Sequence, residues 1–305
     1  MKQLPEWTDL RFFLELARCG TLSGASRRLE LEHTTVARRI DRLETQLEAT
    51  LFDRSRGGYR LTELGQLLLP HAEAMESAAL AALENLGGTD ILARGAVRVG
   101  VPEAFGVRVV VPLLVDLLRQ HPELEVQLLL LPRFANLANR EADLSVTLEP
   151  PDTGRYVVTR LTNYRYYLYG APEYFSGHPP IRRQADLAEH DFVDYVQDRL
   201  MSRELTYLDD LGFTPRRRFC CTGMSAQCEA AARGLGLVMA PPYAVADDDR
   251  LKLVLEGAVF AERTFWLAAP ADLYRLQRVR VVWDLLRRFV DQHSSLFIHE
   301  STPSK

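Results

Sequence analysis

Hydroxyl and guanidinium side chains recur on one face of a predicted helix that starts near residue 34. Thr35, Arg38 and Arg42 share that face at about 100° per residue, and Arg39 lies on its flank. The apolar positions form a narrow stripe on the opposite side: Val36, Ile40, Leu43 and Leu47. An arginine fork can pair with a guanine edge or a phosphate, and a hydroxyl can reach either. The pattern favours a helix that reads the major groove, with an ordinary solvated helix face as the alternative.

Two further predicted helices precede this one. The first carries apolar residues at helical spacing and ends at Gly20. The second is short, runs to about residue 31, takes Ser23 as its N-cap and adds Arg27 and Arg28. Thr34 is the predicted N-cap of the third helix. A short helix joined by a tight turn to a longer one predicts a helix-turn-helix.

A basic, glycine-rich turn follows within residues 51–62 and predicts a short β-hairpin. Arg54, Arg56 and Arg60 lie near its tip. They are expected to contact phosphates, because each positive charge there adds affinity without reading sequence. The hairpin would complete a winged helix-turn-helix.

The sequence therefore predicts a set of residues that contact DNA. These are Ser23, Arg27, His33, Thr34, Thr35, Arg38, Arg39, Arg42, Arg54, Arg56 and Arg60. Arg38 and Thr35 are the first candidates for base-edge contacts, and Arg42 and His33 come behind them.

The order of motifs in this segment resembles the N-terminal domain of LysR-type transcriptional regulators. Those proteins share an aromatic or aliphatic first helix, Ala-x-x-x-Leu, a recognition helix ending in Leu-Glu, then Leu-Phe-x-Arg and Leu-Thr-x-x-Gly. The matching residues are Phe13, Ala25, Leu29, Val36, Ile40, Leu43, Glu44, Leu51, Phe52, Arg54, Leu61, Thr62 and Gly65. Glu32 and His33 replace the Ser-Gln of many members, and Ala37 replaces a serine. The resemblance implies DNA binding with contacts that differ in detail.

Residues 62–85 form a long helical pattern with a continuous apolar stripe. Thr62 is its predicted N-cap, and Pro70 is expected to kink it, because proline removes a hydrogen bond and crowds the preceding turn. The stripe consists of Leu64, Leu68, Ala72, Met75, Ala79, Leu83 and Leu86, and a predicted linker follows at residues 87–90. In the family this helix pairs with its copy, which implies a dimer or tetramer. Packing on its own chain is the alternative.

Strand and helix patterns alternate from about residue 95 onward, which predicts parallel α/β packing. Strands are predicted at residues 97–101, 124–131, 143–148, 166–170, 237–240 and 264–268, with another ending at Cys220 and Cys221. Helices are predicted at residues 109–120, 225–233 and 276–290. Two subdomains joined by crossing strands near residues 161–165 and 265–269 resemble the periplasmic-binding-protein-like effector domain of LysR-type regulators.

The predicted fold is an N-terminal all-α winged helix-turn-helix with a long linker helix, then a C-terminal α/β domain of two subdomains. The DNA-binding domain is expected at 1–61, the linker helix and hinge at 62–92, the effector domain at 93–298 and a tail at 299–305. Subdomain I covers about 93–162 and 267–298, and subdomain II about 163–266.

Ligands of open α/β sheets bind outside the carboxyl ends of strands, near helix N-termini. The residues predicted to contact an effector are Glu103, Ala104, Phe105, Arg133, Asn136, Thr222, Met224 and Ser225. The family commonly places a hydroxyl where this chain has Glu103, and holds an anionic effector there. Because a carboxylate repels an anion, the resemblance implies a neutral or cationic effector, or a pocket that has lost this role. A solvated loop is the alternative for Glu103, and a helix N-cap for Ser225.

Composition restricts the remaining classes. The 305 residues allow two or three domains, and the chain contains no apolar run of about 18 residues and no signal-peptide pattern. The sequence therefore predicts a cytoplasmic protein without membrane contact. The formal net charge of −4 does not oppose DNA binding, since a local basic patch decides it. The four cysteines lack metal-binding spacing, so no metal is predicted.

Enzyme motifs are not recognisable, so no catalytic residue and no cofactor are predicted. Residues 223–227 fall one glycine short of a nucleophile elbow, and the glycines at 234 and 236 follow a helix instead of opening one. The predicted function is a regulator that binds promoter DNA, itself and an unidentified small molecule, with RNA polymerase as a further candidate partner. Two alternatives are a redox sensor that uses Cys220 and Cys228, and a ligand-binding protein without a regulatory DNA site.

Overall fold

A computed structural model describes residues 5–55, 58–85, 93, 95–131, 141–152, 154–200, 202–255 and 258–299. The chain forms two compact units that divide near residue 91. Some predicted features lie outside the described residues: Arg56, Leu86, the linker at 87–90, Arg133, Asn136 and the tail beyond residue 299.

The first unit is a helical domain with a small hairpin. Its elements are α1 (Trp7–Cys19), α2 (Leu22–Leu29), α3 (His33–Leu47), β1 (Phe52–Ser55), β2 (Gly58–Leu61) and α4 (Glu63–Asn85). The predicted apolar faces meet in one core, in which Phe13, Val36, Leu43 and Phe52 are at most 1% exposed. Each such side chain contributes about 1.5–3 kcal/mol on burial. The predicted helix-turn-helix and wing are present.

Two predicted helix caps in this unit are wrong. Helix α2 begins one residue after Thr21, whose hydroxyl accepts a hydrogen bond from the Gly24 amide at 3.1 Å, so Ser23 lies inside the helix. Helix α3 already begins at His33, and Thr34 lies in its first turn. At α2 the turn geometry selects one of two nearby hydroxyls, whereas α3 follows Glu32, whose side chain makes no capping hydrogen bond.

The predicted cap of α4 is confirmed. The Thr62 hydroxyl accepts a hydrogen bond from the Gly65 amide at 3.1 Å and donates one to the Thr50 carbonyl at 2.7 Å. A Cβ atom on Gly65 would lie 2.3 Å from the Leu51 carbonyl oxygen, so this close approach requires glycine. The helix continues through Pro70 to its end at Asn85.

Helix α4 is tied to α1. Arg18 forms ion pairs with Glu76 on α4 at 2.5 Å and with Glu15 at 2.9 Å, and Ala72 is fully buried. Other apolar residues of the predicted stripe are not covered: Leu64 is 51% and Met75 is 47% exposed. The neighbouring Leu67 is 67% exposed. One side of α4 therefore packs on its own domain and leaves an apolar side open.

The second unit is built on one sheet. Its strands are β3 (Gly95–Pro102), β4 (Leu124–Leu131), β5 (Leu144–Thr147), β6 (Tyr156–Gly170), β7 (Asp191–Tyr195), β8 (Arg216–Cys221), β9 (Leu237–Ala240), β10 (Lys252–Leu253) and β11 (Phe260–Pro270). Its helices are α5 (Glu103–Phe105), α6 (Val111–Gln120), α7 (Pro172–Ser176), α8 (Met224–Ala232), α9 (Pro242–Val245) and α10 (Gln277–Gln292). A π-helical turn, Gly106–Val110, joins α5 to α6.

Strand order divides this sheet into two lobes. The order is β4-β3-β5-β11-β6-β9-β7-β8, and β10 pairs with β6. We call β3–β5 lobe I and β7–β9 lobe II; strands pair in parallel within each lobe. The long strands β6 and β11 run antiparallel along each other and connect the lobes. The predicted crossing strands are confirmed.

The strand predictions were incomplete in lobe II. The predicted strand at 166–170 is the end of the 15-residue β6, and β7 and β10 were not predicted.

Helix α10 agrees with its pattern, since Val279, Val282, Trp283 and Leu286 are at most 2% exposed. Across the residues that the structure describes, no helix is both long enough and apolar enough to span a bilayer.

Candidate DNA interface and effector cleft

Helix α3 presents its polar face outward, as the periodicity predicts. Val36, Ile40 and Leu43 are buried against α1 and α2, while Arg38 and Arg42 are exposed. The remaining residues predicted to contact DNA on this helix are accessible: His33 and Thr34 are exposed, and Thr35 and Arg39 are half-buried. The apolar side of α3 is therefore packed in the core, and its polar side is accessible to solvent.

Two arginines of this face have partners in their own domain. Arg39 Nη1 lies 3.0 Å from Asp9 Oδ1, and Arg42 Nε lies 3.4 Å from Asp9 Oδ2. Arg42 also contacts the carboxylate of Glu6. Asp9 is fully buried on α1 and needs these cations, because an isolated buried carboxylate is costly. Arg39 and Arg42 thus attach α3 to α1, a role that the sequence did not indicate.

Arg38 differs from its neighbours on α3. Among the described residues, the side chains of Arg38 and Arg60 have no hydrogen-bond or ion-pair partner, and both residues are exposed. On α2, Arg27 Nε donates to the Ser23 carbonyl at 3.3 Å, and Arg28 pairs with Glu15 at 2.8 Å. Arg38 and Arg60 are consequently the predicted contacts whose charge is most available to a phosphate or a base edge.

The Leu-Glu and Leu-Phe-x-Arg motifs join α3 to the wing. The Glu44 carboxylate accepts hydrogen bonds from the amides of Leu51 at 2.7 Å and Phe52 at 3.1 Å. Arg54 Nη2 lies 2.5 Å from Asp41 Oδ1 and 3.0 Å from Glu44 Oε2. The hydrogen bond to Asp41 raises the pKa of the Arg54 guanidinium above its ordinary value. Arg54 therefore connects the wing to α3 and is also a candidate phosphate contact.

The wing is a two-stranded antiparallel hairpin held on the end of α1. Its register pairs Phe52 with Leu61 and Asp53 with Arg60. The Tyr59 amide donates to the Gly20 carbonyl at 2.7 Å, which fixes the hairpin on the helix. Arg60 therefore occupies a defined position on an exposed strand.

Helix α3 begins without a side-chain cap. Its N-cap residue, Glu32, makes no capping hydrogen bond. The Thr35 and Val36 amides bond to the Glu32 carbonyl at 3.0 Å and 3.2 Å. The first amides of a helix otherwise lack intrahelical acceptors and attract anions. The exposed start at His33 and Thr34 can thus receive a phosphate oxygen.

The second unit brings the carboxyl ends of strands from both lobes together. Glu103 begins α5 directly after β3, and Ser225 is the second residue of α8, which follows β8. Glu103 Oε2 accepts a hydrogen bond from the Ser225 amide at 3.1 Å. The alternative that Glu103 is a solvated loop residue is therefore wrong. The N-cap alternative for Ser225 is also wrong, because Gly223 holds that position.

The other predicted effector residues divide by exposure. Ala104, Phe105 and Met224 are buried, at 6%, 0% and 4% exposure, while Thr222 is exposed together with Ser225. Arg133 and Asn136 lie outside the described residues.

Two further polar contacts cross between the lobes. Ser202 after β7 donates to the Glu149 carboxylate after β5, and Arg108 Nη1 lies 3.3 Å from Asp247 Oδ2. Lobe I thus contributes two carboxylates to the junction, those of Glu103 and Glu149.

Beside this junction the predicted residue Phe105 packs among aromatic side chains that were not predicted as site residues: Tyr164, Tyr166, Tyr243 and Phe265. Phe105 lies 5.9 Å from Tyr243 and 4.9 Å from Phe265, measured between ring centres. Tyr164 and Tyr166 of β6 are buried in the same cluster, and burial raises the pKa of Tyr166 to about 12. The period-two spacing of these tyrosines was the available signal, since alternate residues of a strand face the same side.

The free cysteines of lobe II lie in surroundings that disfavour the thiolate form. Burial raises the pKa of the Cys220 and Cys221 thiols, and raises that of Cys228 to about 12. A thiolate is the reactive form, so these raised values oppose the redox alternative. In the described part of the chain, no group of histidine, cysteine and carboxylate side chains has the arrangement of a metal site.

Comparison with known families matches both units. A family model described as the LysR substrate binding domain matches residues 92–291. A second, described as a bacterial regulatory helix-turn-helix protein of the lysR family, matches residues 7–66. The two matches together cover most of the sequence.

Individual relatives and solved structures are consistent with these two family matches. The HTH-type transcriptional activator TtdR of Escherichia coli is 30% identical over 183 residues, which are 60% of this chain and 59% of that protein. The probable HTH-type transcriptional regulator LtrA of Klebsiella pneumoniae is 23% identical over 92% of this chain and 94% of its own length. This chain thus spans less than two thirds of TtdR.

A full-length variant of OxyR from Pseudomonas aeruginosa has the same fold, with a TM-score of 0.69 at 19% identity over 93% of this chain and 98% of that one. ArgP of Mycobacterium tuberculosis gives a TM-score of 0.67 at 19% identity over 94% and 97%. These likenesses concern the fold. The two family matches show that the chain belongs to the LysR family of bacterial helix-turn-helix regulatory proteins.

Proposed function

We propose that this protein is a transcriptional regulator that binds double-stranded promoter DNA through α3 and the wing. The observation that carries the proposal is the outward face of α3, on which the Arg38 side chain is exposed and has no partner among the described residues. An unpaired guanidinium on a rigid helix can form a bidentate contact with guanine.

The proposed contacts fall into two groups. Arg38 and Thr35 read base edges, while Arg60 and the first amides of α3 bind phosphates. Arg39, Arg42 and Arg54 position α3 and the wing through their acid partners and reach DNA at most as secondary contacts. This ranking keeps Arg38 first, as the sequence predicts, and places Arg42 and Arg54 lower because both have acidic partners in their own domain.

The proposed assembly is a homodimer, or a tetramer built from dimers, paired along α4. The exposed apolar residues Leu64, Leu67 and Met75 give that helix a surface that a second copy can cover. Two-fold pairing presents two recognition helices to two half-sites. RNA polymerase is a further proposed partner, and the cytoplasm is the proposed location.

The α/β unit is proposed to bind a small-molecule effector at the junction of its lobes. Glu103 and Glu149 place carboxylates there, so the proposed effector is neutral or cationic. The proposed domain limits are 1–61 for DNA binding, 62–92 for the linker and 93–298 for the effector domain. Relatives whose names describe transcriptional activators favour activation as the regulatory effect.

The test is a DNA titration of Arg38→Ala and Arg60→Ala on the chain's own upstream region and on unrelated duplexes, at several salt concentrations. We expect Arg38→Ala to lower the preference for the specific site about 5- to 150-fold. Arg60→Ala should weaken all sequences alike and reduce the salt slope by about one.

Arg119→Ala is the matched control, because it removes the same charge from an exposed residue of the second unit. If both test variants lose the same uniform affinity, the assignment of base reading to Arg38 is wrong. If the unaltered protein shows no preferred site at all, a ligand-binding protein without regulatory DNA becomes the better description.

A further inference from the structure

We propose that Glu103 is an internal carboxylate ligand of lobe II that holds the two lobes of the effector domain together. This inference rests on the proposed function of the α/β unit and concerns its regulation. The contact that motivates it runs from Glu103 Oε2 on lobe I to the Ser225 amide on lobe II, at 3.1 Å.

The electrostatics of this contact are favourable. Helix α8 has nine residues, and its N-cap, Gly223, has no side chain to satisfy the first amides. A helix N-terminus carries a partial positive charge and favours a carboxylate. Glu103 therefore supplies from the opposite lobe the acceptor that a local serine or aspartate usually supplies.

The approach of the carboxylate is unobstructed. A Cβ atom built on Gly223 would lie 3.7 Å from Glu103 Oε2, so the carboxylate passes directly over this glycine. Glu103 itself begins α5 at the end of β3 and is half-buried. The side chain is therefore fixed at its base by a strand end and reaches a single amide with its tip.

The surrounding contacts show that the lobes meet along an edge. Ser202 contacts Glu149, Arg108 pairs with Asp247 at 3.3 Å, and Phe105 lies 5.9 Å from Tyr243. Of the polar contacts at this junction, the one from Glu103 places a free-standing carboxylate on a backbone amide. When the Glu103 side chain is removed, a small carboxylate from solution can therefore take its place on this amide.

The consequence concerns regulation. A free carboxylate at the start of α8 would compete with Glu103 for the same amide, and would also meet its negative charge. The protein is thus expected to ignore small carboxylates and to keep its lobes joined without one.

The test is chemical rescue in the full chain. Glu103→Ala removes the carboxylate, and we expect the melting temperature to fall by about 3 °C. The Ser225 amide should exchange its hydrogen at least about tenfold faster. Sodium acetate, compared with sodium chloride at equal ionic strength, should restore both values in this variant and leave the unaltered protein unchanged.

Two further variants make the result specific. Glu103→Gln keeps an oxygen at the amide without the charge, so it should lose part of the protection and fail to respond to acetate. Glu123→Ala removes an exposed carboxylate elsewhere in lobe I and should behave like the unaltered protein. Normal exchange at Ser225 in Glu103→Ala, or an equal acetate response in all variants, would overturn the proposal.

The proposal and the function it rests on fail separately. Gel-shift titration of the same variants on the upstream DNA measures the regulator function alone. If a preferred site is bound and acetate rescues nothing, the internal ligand is wrong and the regulator stands. If acetate rescues Glu103→Ala and no protein in the series prefers a site, the internal ligand stands and the regulator is wrong.

Discussion

Helices α3 and α8 both begin at an N-cap residue that makes no side-chain capping bond, Glu32 in α3 and Gly223 in α8. In α8 the other lobe supplies the missing acceptor, because the Glu103 carboxylate accepts a hydrogen bond from the Ser225 amide. In α3 the start is exposed, and the carboxylate of Glu32 is not turned back onto it. One helix end is closed within the chain, and the other is open to an outside anion.

Helix starts in this chain differ in whether a local side chain caps them. Helices α2 and α4 show the ordinary solution, with Thr21 and Thr62 accepting from amides in the first turn. A missing hydroxyl is not confined to α3 and α8, since α1 and α10 also begin without a side-chain cap. At α3 and α8 a local hydroxyl would compete with the proposed phosphate or with the Glu103 carboxylate for the same amides.

The largest stability effect is expected at a closed end. Thr62→Ala removes a cap and the bond to the Thr50 carbonyl, and should lower the free energy of unfolding by about 2 kcal/mol. Urea unfolding measures this directly. Thr50→Ala, which truncates an exposed threonine whose carbonyl remains, is the control. Equal losses in the two variants would mean that the cap of α4 carries no stability.

An open end should respond in the opposite direction. Glu32→Ser gives α3 a capping hydroxyl and should raise the free energy of unfolding by about 1 kcal/mol. The new hydroxyl competes with the proposed phosphate for the first amides, whereas loss of the Glu32 carboxylate removes a repulsion. These two effects on DNA affinity oppose each other, so the net change in affinity should be small. Glu32→Ala removes the charge without adding a cap, and separates the two effects when both variants are titrated with DNA. A Glu32→Ser protein no more stable than Glu32→Ala would contradict an uncapped start.

The smallest effect is a pH dependence that lies outside both helix ends. His190 in lobe II is fully buried, lies 3.1 Å from the Tyr174 hydroxyl, and has its pKa lowered by burial and by His178. The unfolded chain, with a pKa of about 6.5, then binds the proton more readily than the folded one. Stability should therefore be full above that pH and decline as the pH falls below it.

The measurement is the melting temperature between neutral and mildly acidic pH. His190→Gln should flatten the decline, whereas His71→Gln, at an exposed position of α4, should leave it unchanged. A decline of the same size in His190→Gln would assign the effect to other groups.

Sequence reasoning succeeded where one residue pattern specifies one local structure. The apolar stripe of α3 at Val36, Ile40 and Leu43 became core, and the Gly20 stop adopted the left-handed conformation with a φ of 65°. Sequence reasoning failed at the cap of α2, because Thr21 and Ser23 are equally good hydroxyls and only the turn selects Thr21. It also failed for β7, a strand of the sequence Asp191–Tyr195 whose two aspartates obscure its burial.

Helical period and motif spacing are local properties of the chain, so they predict the order of the two units, the outward face of α3 and the family. Which charges are free depends on the three-dimensional packing. Asp9 on α1 takes Arg39 and Arg42, Asp41 and Glu44 take Arg54, and Arg38 is left exposed. The same holds for Glu103, which meets Ser225 across 122 positions of sequence. Charge pairing depends on distances in space, and no periodicity in the chain encodes them.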